Sequence, residues 1–272
     1  MAEATKATGA QRIADAFAAA RSEGRAALMP YMMGGFPDLE TSLAVADAYV
    51  DARADLVELG APFSDPLADG PVIHGAATKA LASGTTLEDV LGICERIATR
   101  VPVVPMVYAN MALARGAEEF ARLLAGAGAA GTIVPDLPLE EADEIAVALR
   151  EAGVALVQLV APTTPPDRRR AICARAEGFV YVVSDTRVTG ERDELPAHVA
   201  DLVEAVQAES PVPVAVGFGI TTSAQVAAIG AVADGVIVGS RLVRRVAEAV
   251  GHQAAAAAVR EFIEAARAAM TA

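Results

Sequence analysis

The sequence is poor in cysteine and in aromatic residues. Among 272 residues there are two cysteines, no tryptophan, seven phenylalanines and four tyrosines. Cys94 and Cys173 lie far apart, with no CxxC pair and no histidine cluster beside them. This spacing indicates neither a disulfide framework nor a zinc site. We therefore expect two ordinary buried thiols and no metal centre.

Positive charge is also scarce. The chain has 22 Lys and Arg residues against 35 Asp and Glu, a formal net charge of −13, and no basic block. Because nucleic-acid binding depends on basic patches that release counterions, the composition excludes a nucleic-acid partner. The longest uncharged span, residues 210–233, is interrupted by Pro, Gly and polar residues, so no membrane partner is expected. The first residues lack the apolar segment of a signal peptide, and we expect a cytoplasmic protein.

Apolar residues are abundant, at 54% of the chain, and many lie in short continuous runs. Unbroken runs of this length are typical of parallel strands that are buried on both faces. We predict eight strands, within residues 26–34, 55–60, 101–109, 131–136, 154–161, 178–184, 212–219 and 234–240.

The segments between these runs have helical spacing, as in 39–52, 117–128 and 139–153. Eight strand-helix units predict a (β/α)8 TIM barrel, whereas an open doubly wound sheet has fewer strands and a G-x-G-x-x-G turn after the first, which is absent here. Residues 10–24 predict an extra N-terminal helix over the barrel bottom. We expect one domain, residues 1–272.

Three carboxylates follow the second run in "ELGAPFSDPLADGP", residues 58–71. Glu58 ends the predicted strand and Asp69 lies in an unusually long loop. Because active sites of such barrels form at the carboxyl ends of the strands, both are candidate catalytic residues. The structural alternative is a salt bridge from Glu58 at the barrel rim, with Asp65 and Asp69 stabilising turns.

Glycine-containing motifs end the last three strand units: "VTG" (188–190), "GFGI" (217–220) and "VGSR" (238–241). Glycines there let backbone N–H groups approach an anion, and barrel phosphate sites recur after the last strands at a helix N-terminus. The alternative is that these glycines only form tight turns. We favour a phosphorylated small-molecule substrate, since local N–H dipoles can hold a dianion even on an acidic protein.

Together, "ELGAPFSDPLADGPVI", "VPDLPLEE", "YVVS" followed by "VTG", "GFGI" and "VGS" closely resemble the tryptophan synthase α subunit family, from about Ile13 to Phe262. The resemblance implies cleavage of indole-3-glycerol phosphate to indole and glyceraldehyde 3-phosphate. It also implies an α2β2 assembly with a β subunit that carries pyridoxal phosphate, and no cofactor on this chain.

The reaction assigns roles to the two carboxyls. Cleavage requires protonation of the indole ring carbon and removal of a proton from the adjacent hydroxyl, which one partly desolvated carboxyl can do in sequence. We assign this acid–base role to Glu58. Asp69 is predicted to stabilise the positive charge that develops on the indole N–H.

Other site residues follow from the resemblance alone. Tyr31, Met106 and Tyr181 would line the indole pocket, and Thr189 would orient Asp69 when the sixth loop closes. The phosphate would be held by Gly190, Gly219, Gly239 and Ser240. Tyr108 and Asp136 match positions near the pocket and the subunit interface. Arg187 stands where the family usually has glycine, and His74 where glutamine is common.

Three alternatives remain at this stage. An isomerase of phosphorylated sugars would also use a phosphate-binding barrel, but it leaves the spacing of Glu58 and Asp69 unexplained. A stand-alone lyase that releases free indole would need no β subunit. A specialised subunit that mainly activates a partner would need neither carboxyl, and both are present.

Overall fold

The computed structural model describes residues 7–183, 197–217 and 219–271. Its eight strands are all parallel and form a closed barrel in the order β1 to β8, with β8 paired back to β1. The predicted (β/α)8 TIM barrel is confirmed. The strands are β1 (Ala27–Met33), β2 (Val57–Gly60), β3 (Val103–Met106), β4 (Gly131–Ile133), β5 (Ala155–Val160), β6 (Val180–Val183), β7 (Val214–Gly217) and β8 (Gly235–Val238).

Helices surround the barrel, and α12 packs against α2 and α10 on its outside. A 3₁₀ turn spans Leu139–Glu141. In the described residues the α-helices are α1 (Gly9–Ser22), α2 (Leu39–Asp51), α3 (Pro71–Ala82), α4 (Leu87–Ile97), α5 (Ala109–Leu113), α6 (Ala117–Gly126), α7 (Asp143–Glu151), α8 (Pro166–Ala174), α9 (Ala197–Glu209), α10 (Ser223–Gly230), α11 (Ser240–Glu248) and α12 (His252–Thr271). None of these helices is both long and apolar enough to span a bilayer.

The extra N-terminal helix covers the bottom of the barrel, as predicted. Thr8 caps α1 by accepting a hydrogen bond from the Gln11 N–H. Ile13 and Phe17 of α1 are buried with the side chains that fill the barrel interior. Phe17 approaches β8 so closely that a Cβ on Gly235 would lie 2.8 Å from its ring. The helix therefore closes the end of the barrel where the strands begin.

A buried ion-pair cluster lies at the same end of the barrel. Asp55, just before β2, accepts two hydrogen bonds from Arg25, at 2.6 and 2.8 Å, and one from the Leu28 N–H at 2.8 Å. Arg267 of α12 contacts both Asp55 and Glu23. The cluster thus ties the first two strands to the last helix.

β3 is shorter than the apolar run that contains it. It ends at Met106, and α5 begins at Ala109, whose N–H donates to Asp136. One predicted helix boundary was wrong. The helix expected over 139–153 begins only at Asp143. The Leu139 carbonyl accepts from Arg175 and from the Ala142 N–H, which favours a separate turn.

A second group of buried side chains lies between the strands and the outer helices. Both cysteines are free and buried, as predicted. Burial raises the pKa of the Cys94 thiol to about 12, so it is an unreactive core residue.

Candidate active site

Glu58 lies in the middle of β2, paired with Tyr31 of β1 and Val104 of β3. The residue is 2% exposed, and within the described part of the chain its Oε2 has no hydrogen-bond partner. Burial raises the pKa of Glu58 to about 8, and the charge of Asp69 adds to the rise. The rim salt bridge considered as an alternative is absent from the described residues. A buried carboxyl without a partner is costly, and such groups cluster at functional sites.

Asp69 lies in the loop between β2 and α3 and is half-buried. Burial raises the pKa of Asp69, while a hydrogen bond from Tyr108 and the charge of His74 oppose the rise. The same loop is held by Tyr108, whose hydroxyl oxygen accepts from the Ala68 N–H at 3.2 Å. The sequence did not indicate this anchor, because Tyr108 belongs to another strand-helix unit.

The two carboxyls have different proton affinities. The charge of Asp69 raises the pKa of Glu58, so Asp69 titrates first and Glu58 retains its proton to higher pH. Two titratable groups whose surroundings separate their pKa values mark an acid and a fixed carboxylate. Between the two pKa values the site therefore holds one protonated carboxyl and one negative charge.

Two tyrosines lie close to these carboxyls. Burial raises the pKa values of Tyr31 and Tyr181 well above 10, with smaller contributions from Glu58 and Asp69. Each ring extends over a glycine of a neighbouring strand. A Cβ on Gly60 would lie 2.1 Å from the Tyr31 hydroxyl, and one on Gly217 would lie 2.2 Å from the Tyr181 hydroxyl. The small residues make room for the two rings at this end of the barrel.

Met106 ends β3 and pairs with Gly60 of β2 and Ile133 of β4. It is partly buried and packs against the side chains of the barrel interior, as Tyr181 does. The predicted indole-pocket residues Tyr31, Met106 and Tyr181 thus lie on three strands around Glu58.

The last two strand-helix turns differ in how their helices begin. At α10, Thr222 and Gln225 form a capping box, and Gln225 also accepts from the Thr221 N–H. At α11 the N-cap is Gly239, and no side chain of the described residues caps the helix. The N–H groups at the start of α11 are therefore available to an anion.

Of the predicted phosphate residues, Gly219 and Ser240 are exposed and Gly239 is half-buried. The Gly239 backbone lies beside Tyr31, since a Cβ on Gly239 would be 3.8 Å from the Tyr31 Cβ. This proximity brings the start of α11 next to the predicted indole pocket. Thr189 and Gly190, like Arg187, lie outside the described residues.

No group of three or more His, Cys, Asp or Glu side chains suited to a metal ion occurs in residues 7–183, 197–217 and 219–271. The buried Glu58 carboxyl and the Asp69 carboxyl are groups that can transfer protons and stabilise positive charge. Together, the parallel barrel, the buried acid and the second carboxylate near the carboxyl ends of the strands are typical of an enzyme of the TIM-barrel class.

Comparison with known proteins identifies the family. The model of the tryptophan synthase alpha chain family matches residues 17–271, and the chain belongs to that family. The tryptophan synthase alpha chain of Synechococcus elongatus is 47% identical over 241 residues, covering 87% of this chain and 90% of its own. The protein of the same name from Carboxydothermus hydrogenoformans is 50% identical over 234 residues, covering 85% and 88%.

Solved structures agree with this assignment. A tryptophan synthase structure from Mycobacterium tuberculosis is 38% identical, covers 98% of this chain and 100% of that chain, and has a TM-score of 0.89. Tryptophan synthase subunit alpha of Legionella pneumophila is 33% identical and covers 95% and 98%, with a TM-score of 0.85. The predicted family, enzyme class and role in tryptophan biosynthesis are confirmed: the chain is a carbon–carbon lyase.

Proposed function

We propose that this chain cleaves indole-3-glycerol phosphate with Glu58 as its acid–base group and Asp69 as a fixed carboxylate. One observation carries the proposal. Glu58 is a buried carboxyl whose Oε2 is unpartnered among the described residues and whose pKa is raised to about 8. Such a group is protonated near neutral pH, yet it can also accept a proton, so both halves of the reaction are open to it.

In the first step Glu58 donates its proton to the indole ring carbon that bears the glycerol phosphate chain. The ring becomes a cation, with positive charge at its N–H. Asp69, ionised because its pKa lies below that of Glu58, stabilises this charge as it develops. The negative charge is in place before the reaction begins, so little reorganisation is needed.

In the second step the Glu58 carboxylate removes the proton from the hydroxyl on the adjacent side-chain carbon. The O–H electrons form the aldehyde carbonyl, and the electrons of the breaking carbon–carbon bond return to the ring. The products are indole and glyceraldehyde 3-phosphate, and Glu58 regains its proton. No oxidant or reductant is required, because the hydroxyl proton replaces the one first given to the ring.

Binding involves both ends of the substrate. Tyr31, Met106 and Tyr181 provide the apolar wall for the indole ring. Gly219, Gly239 and Ser240 offer backbone N–H groups to the phosphate at the uncapped start of α11. From the sequence we also predict that Thr189 orients Asp69 and that Gly190 contacts the phosphate.

We further propose an α2β2 assembly in which a β subunit holds pyridoxal phosphate and receives the indole. Family membership supports a β partner that carries the cofactor. The chemistry derived for Glu58 and Asp69 requires no cofactor on this chain. We also propose that residues 1–272 act as one barrel domain.

The test is an assay of the purified full chain with indole-3-glycerol phosphate, with and without a tryptophan synthase β subunit. Indole formation that rises on adding the partner is the expected result. Equal rates in both arms would support a stand-alone indole-releasing lyase. No cleavage in either arm, together with faster turnover by the β subunit, would overturn the proposal and favour an activating subunit.

A further inference from the structure

Tyr108 is held rigidly between two strand-helix units. It follows β3, serves as the N-cap of α5 and is 1% exposed. The N–H of the next residue, Ala109, donates to Asp136 Oδ1 at 2.7 Å. Asp136 follows β4, so the backbone at Tyr108 is tied to the turn after the neighbouring strand.

The side chain of Tyr108 contacts the loop that carries Asp69 at two points. Its ring stacks on Phe63, with ring centres 4.9 Å apart and an angle of 19° between the planes. Its hydroxyl oxygen accepts from the Ala68 N–H at 3.2 Å. Phe63 and Ala68 bracket the part of the loop that leads to Asp69. A residue of the third strand-helix unit therefore fixes the position of the second loop.

The hydroxyl of Tyr108 also has a proton to donate. Because its oxygen accepts from the Ala68 N–H, the O–H is free to point elsewhere. Asp69 is near enough that, after burial, its charge raises the pKa of Tyr108. A hydrogen bond given to a carboxylate favours the charged form, which is the form that the proposed mechanism requires.

From these contacts we propose that Tyr108 is a positioning residue for Asp69: it anchors the second loop through Phe63 and Ala68 and directs its hydroxyl proton to the Asp69 carboxylate. The inference rests on the proposed function of Asp69 and goes beyond it, since Tyr108 acts through Asp69 rather than on the substrate. Another buried tyrosine, Tyr49, provides a contrast, because its hydroxyl donates to the Tyr31 carbonyl at 2.9 Å.

Several charged or titratable groups act on Asp69, and the pH dependence of the site reflects all of them. Tyr108 and His74 favour its charged form, and burial opposes it. Asp136 faces Tyr108 from the turn after β4. Among the described residues, Glu58, Tyr31 and Tyr181 also interact with Asp69.

The first experiment replaces Tyr108 by Phe, which keeps the ring and removes the hydroxyl. In the full chain with a β subunit, we expect kcat for indole formation to fall about tenfold, with KM changed less than about twofold. The acid limb of the kcat/KM profile should move to higher pH, because Asp69 loses a donor that favours its charge. Tyr49→Phe is the matched control, since it removes a buried hydrogen bond but should leave the acid limb in place.

The second experiment combines Tyr108→Phe with Asp69→Asn. If Tyr108 acts through Asp69, the double variant has the same kcat as Asp69→Asn alone. If Tyr108→Phe lowers kcat by the same factor in the Asp69→Asn background as in the wild type, the inference is overturned. An unshifted acid limb in the Tyr108→Phe single variant would also overturn it. Full activity of Asp69→Asn would instead disprove the proposed role of Asp69 itself, so the two failures are distinguishable.

A third variant tests the loop contact independently of the hydroxyl. Phe63→Leu removes the stacking partner and leaves Tyr108 intact. We expect lower kcat without a shift of the acid limb, because the loop loosens while the hydroxyl donor remains. Wild-type kcat in this variant would rule out the anchoring part of the inference. Thermal unfolding of each variant establishes that the compared proteins are folded.

Discussion

Glu58 and Tyr31 occupy paired positions on β2 and β1, and they are 2% and 3% exposed. The Tyr31 ring extends over Gly60, two residues beyond Glu58 on the same face of β2. The tyrosine thus helps to keep water from the carboxyl, and burial is the main reason that the Glu58 pKa rises to about 8. An acid that keeps its proton at neutral pH is the group that the first reaction step needs.

Replacing Glu58 by Gln should nearly abolish cleavage. Glutamine preserves the shape of the side chain but cannot transfer the proton, and loss of a general acid–base group typically costs about 100-fold or more. Indole formation by the full chain, with a β subunit present, measures the effect. Thermal unfolding and inhibition by glycerol 3-phosphate should change little. Turnover within about tenfold of wild type, a barrier change of only about 1.4 kcal/mol, would contradict the acid–base role.

The pH profile of cleavage should have limbs set by the two carboxyls. Activity should fall above a pH of about 8, where Glu58 loses the proton that it must donate. It should also fall at low pH, where Asp69 becomes protonated, and this limb should lie above the usual aspartate range because burial raises the Asp69 pKa. In Asp69→Asn the acid limb should disappear from the residual activity. The alkaline limb should remain but move to lower pH, because the charge of Asp69 no longer adds to the raised pKa of Glu58.

Glu58 should make the stability of the protein depend on pH. Its folded pKa of about 8 exceeds the unfolded value of about 4.5, so the folded state binds the proton more tightly. The free energy of unfolding should therefore decrease as the pH rises from about 4.5 to 8, by a few kcal/mol from this residue. Glu58→Gln should lack that decrease. Urea unfolding at pH 5 and pH 9 tests it, and parallel curves for both proteins would contradict the raised pKa.

Asp69→Asn should be severely impaired in kcat rather than in KM. Asparagine keeps an oxygen acceptor but lacks the negative charge that stabilises the cationic ring, and a lost electrostatic group of this kind costs roughly 100-fold. Single-turnover cleavage of indole-3-glycerol phosphate measures the chemical step directly. A rise in KM with unchanged kcat would mean that Asp69 only binds the substrate.

Much of the fold could be predicted from the sequence, because each strand and each helix has a hydrophobic pattern within its own short segment. Each buried parallel strand is a short apolar run, and each crossover helix has an apolar face, so eight repeats indicate a closed barrel. The exact ends depend on contacts between distant residues. Asp136, for example, accepts from the Ala109 N–H, and this cap starts α5 inside what reads as a continuous apolar run.

The candidate site also has a part that the sequence predicts and a part that it does not. Glu58 and Asp69 could be predicted because one lies on the second strand and the other in the loop that follows it. The sequence does not predict a positioning role for Tyr108, since a single tyrosine in an apolar run is most often a core residue. Its contacts with Phe63 and Ala68 become visible only when the second and third strand-helix units are adjacent in space.

Removing Asp55 should destabilise the barrel strongly. The Asp55 and Arg25 side chains are 10% and 2% exposed, so Asp55→Ala leaves a buried guanidinium with one partner fewer. Breaking a buried pair of this kind typically costs about 3 kcal/mol or more. The matched control is Asp51→Ala, because the Asp51–Arg260 pair is 50% and 45% exposed and should contribute less than about 1 kcal/mol. Equal losses in urea unfolding would contradict the prediction.

Substitutions at the two glycines assigned to the phosphate, Gly219 and Gly239, test whether their backbone contacts the substrate. Gly239 has φ −106° and ψ −89°, and its nearest described neighbour would be 3.8 Å from an added Cβ. At Gly219 no atom of the described residues lies within 4 Å of such a Cβ. Neither position needs glycine for packing against the described residues, so an added side chain should interfere mainly with a bound ligand.

Gly239→Val and Gly219→Val should therefore fold normally and raise KM for indole-3-glycerol phosphate about tenfold or more through lost access to the backbone N–H groups. Inhibition by indole, which lacks a phosphate, should change much less. Gly92→Ala in α4, also without neighbours within 4 Å, is the control for adding a side chain at a distant open position. Equal loss of affinity for indole and for the phosphorylated substrate would indicate general damage to the barrel and contradict the phosphate assignment.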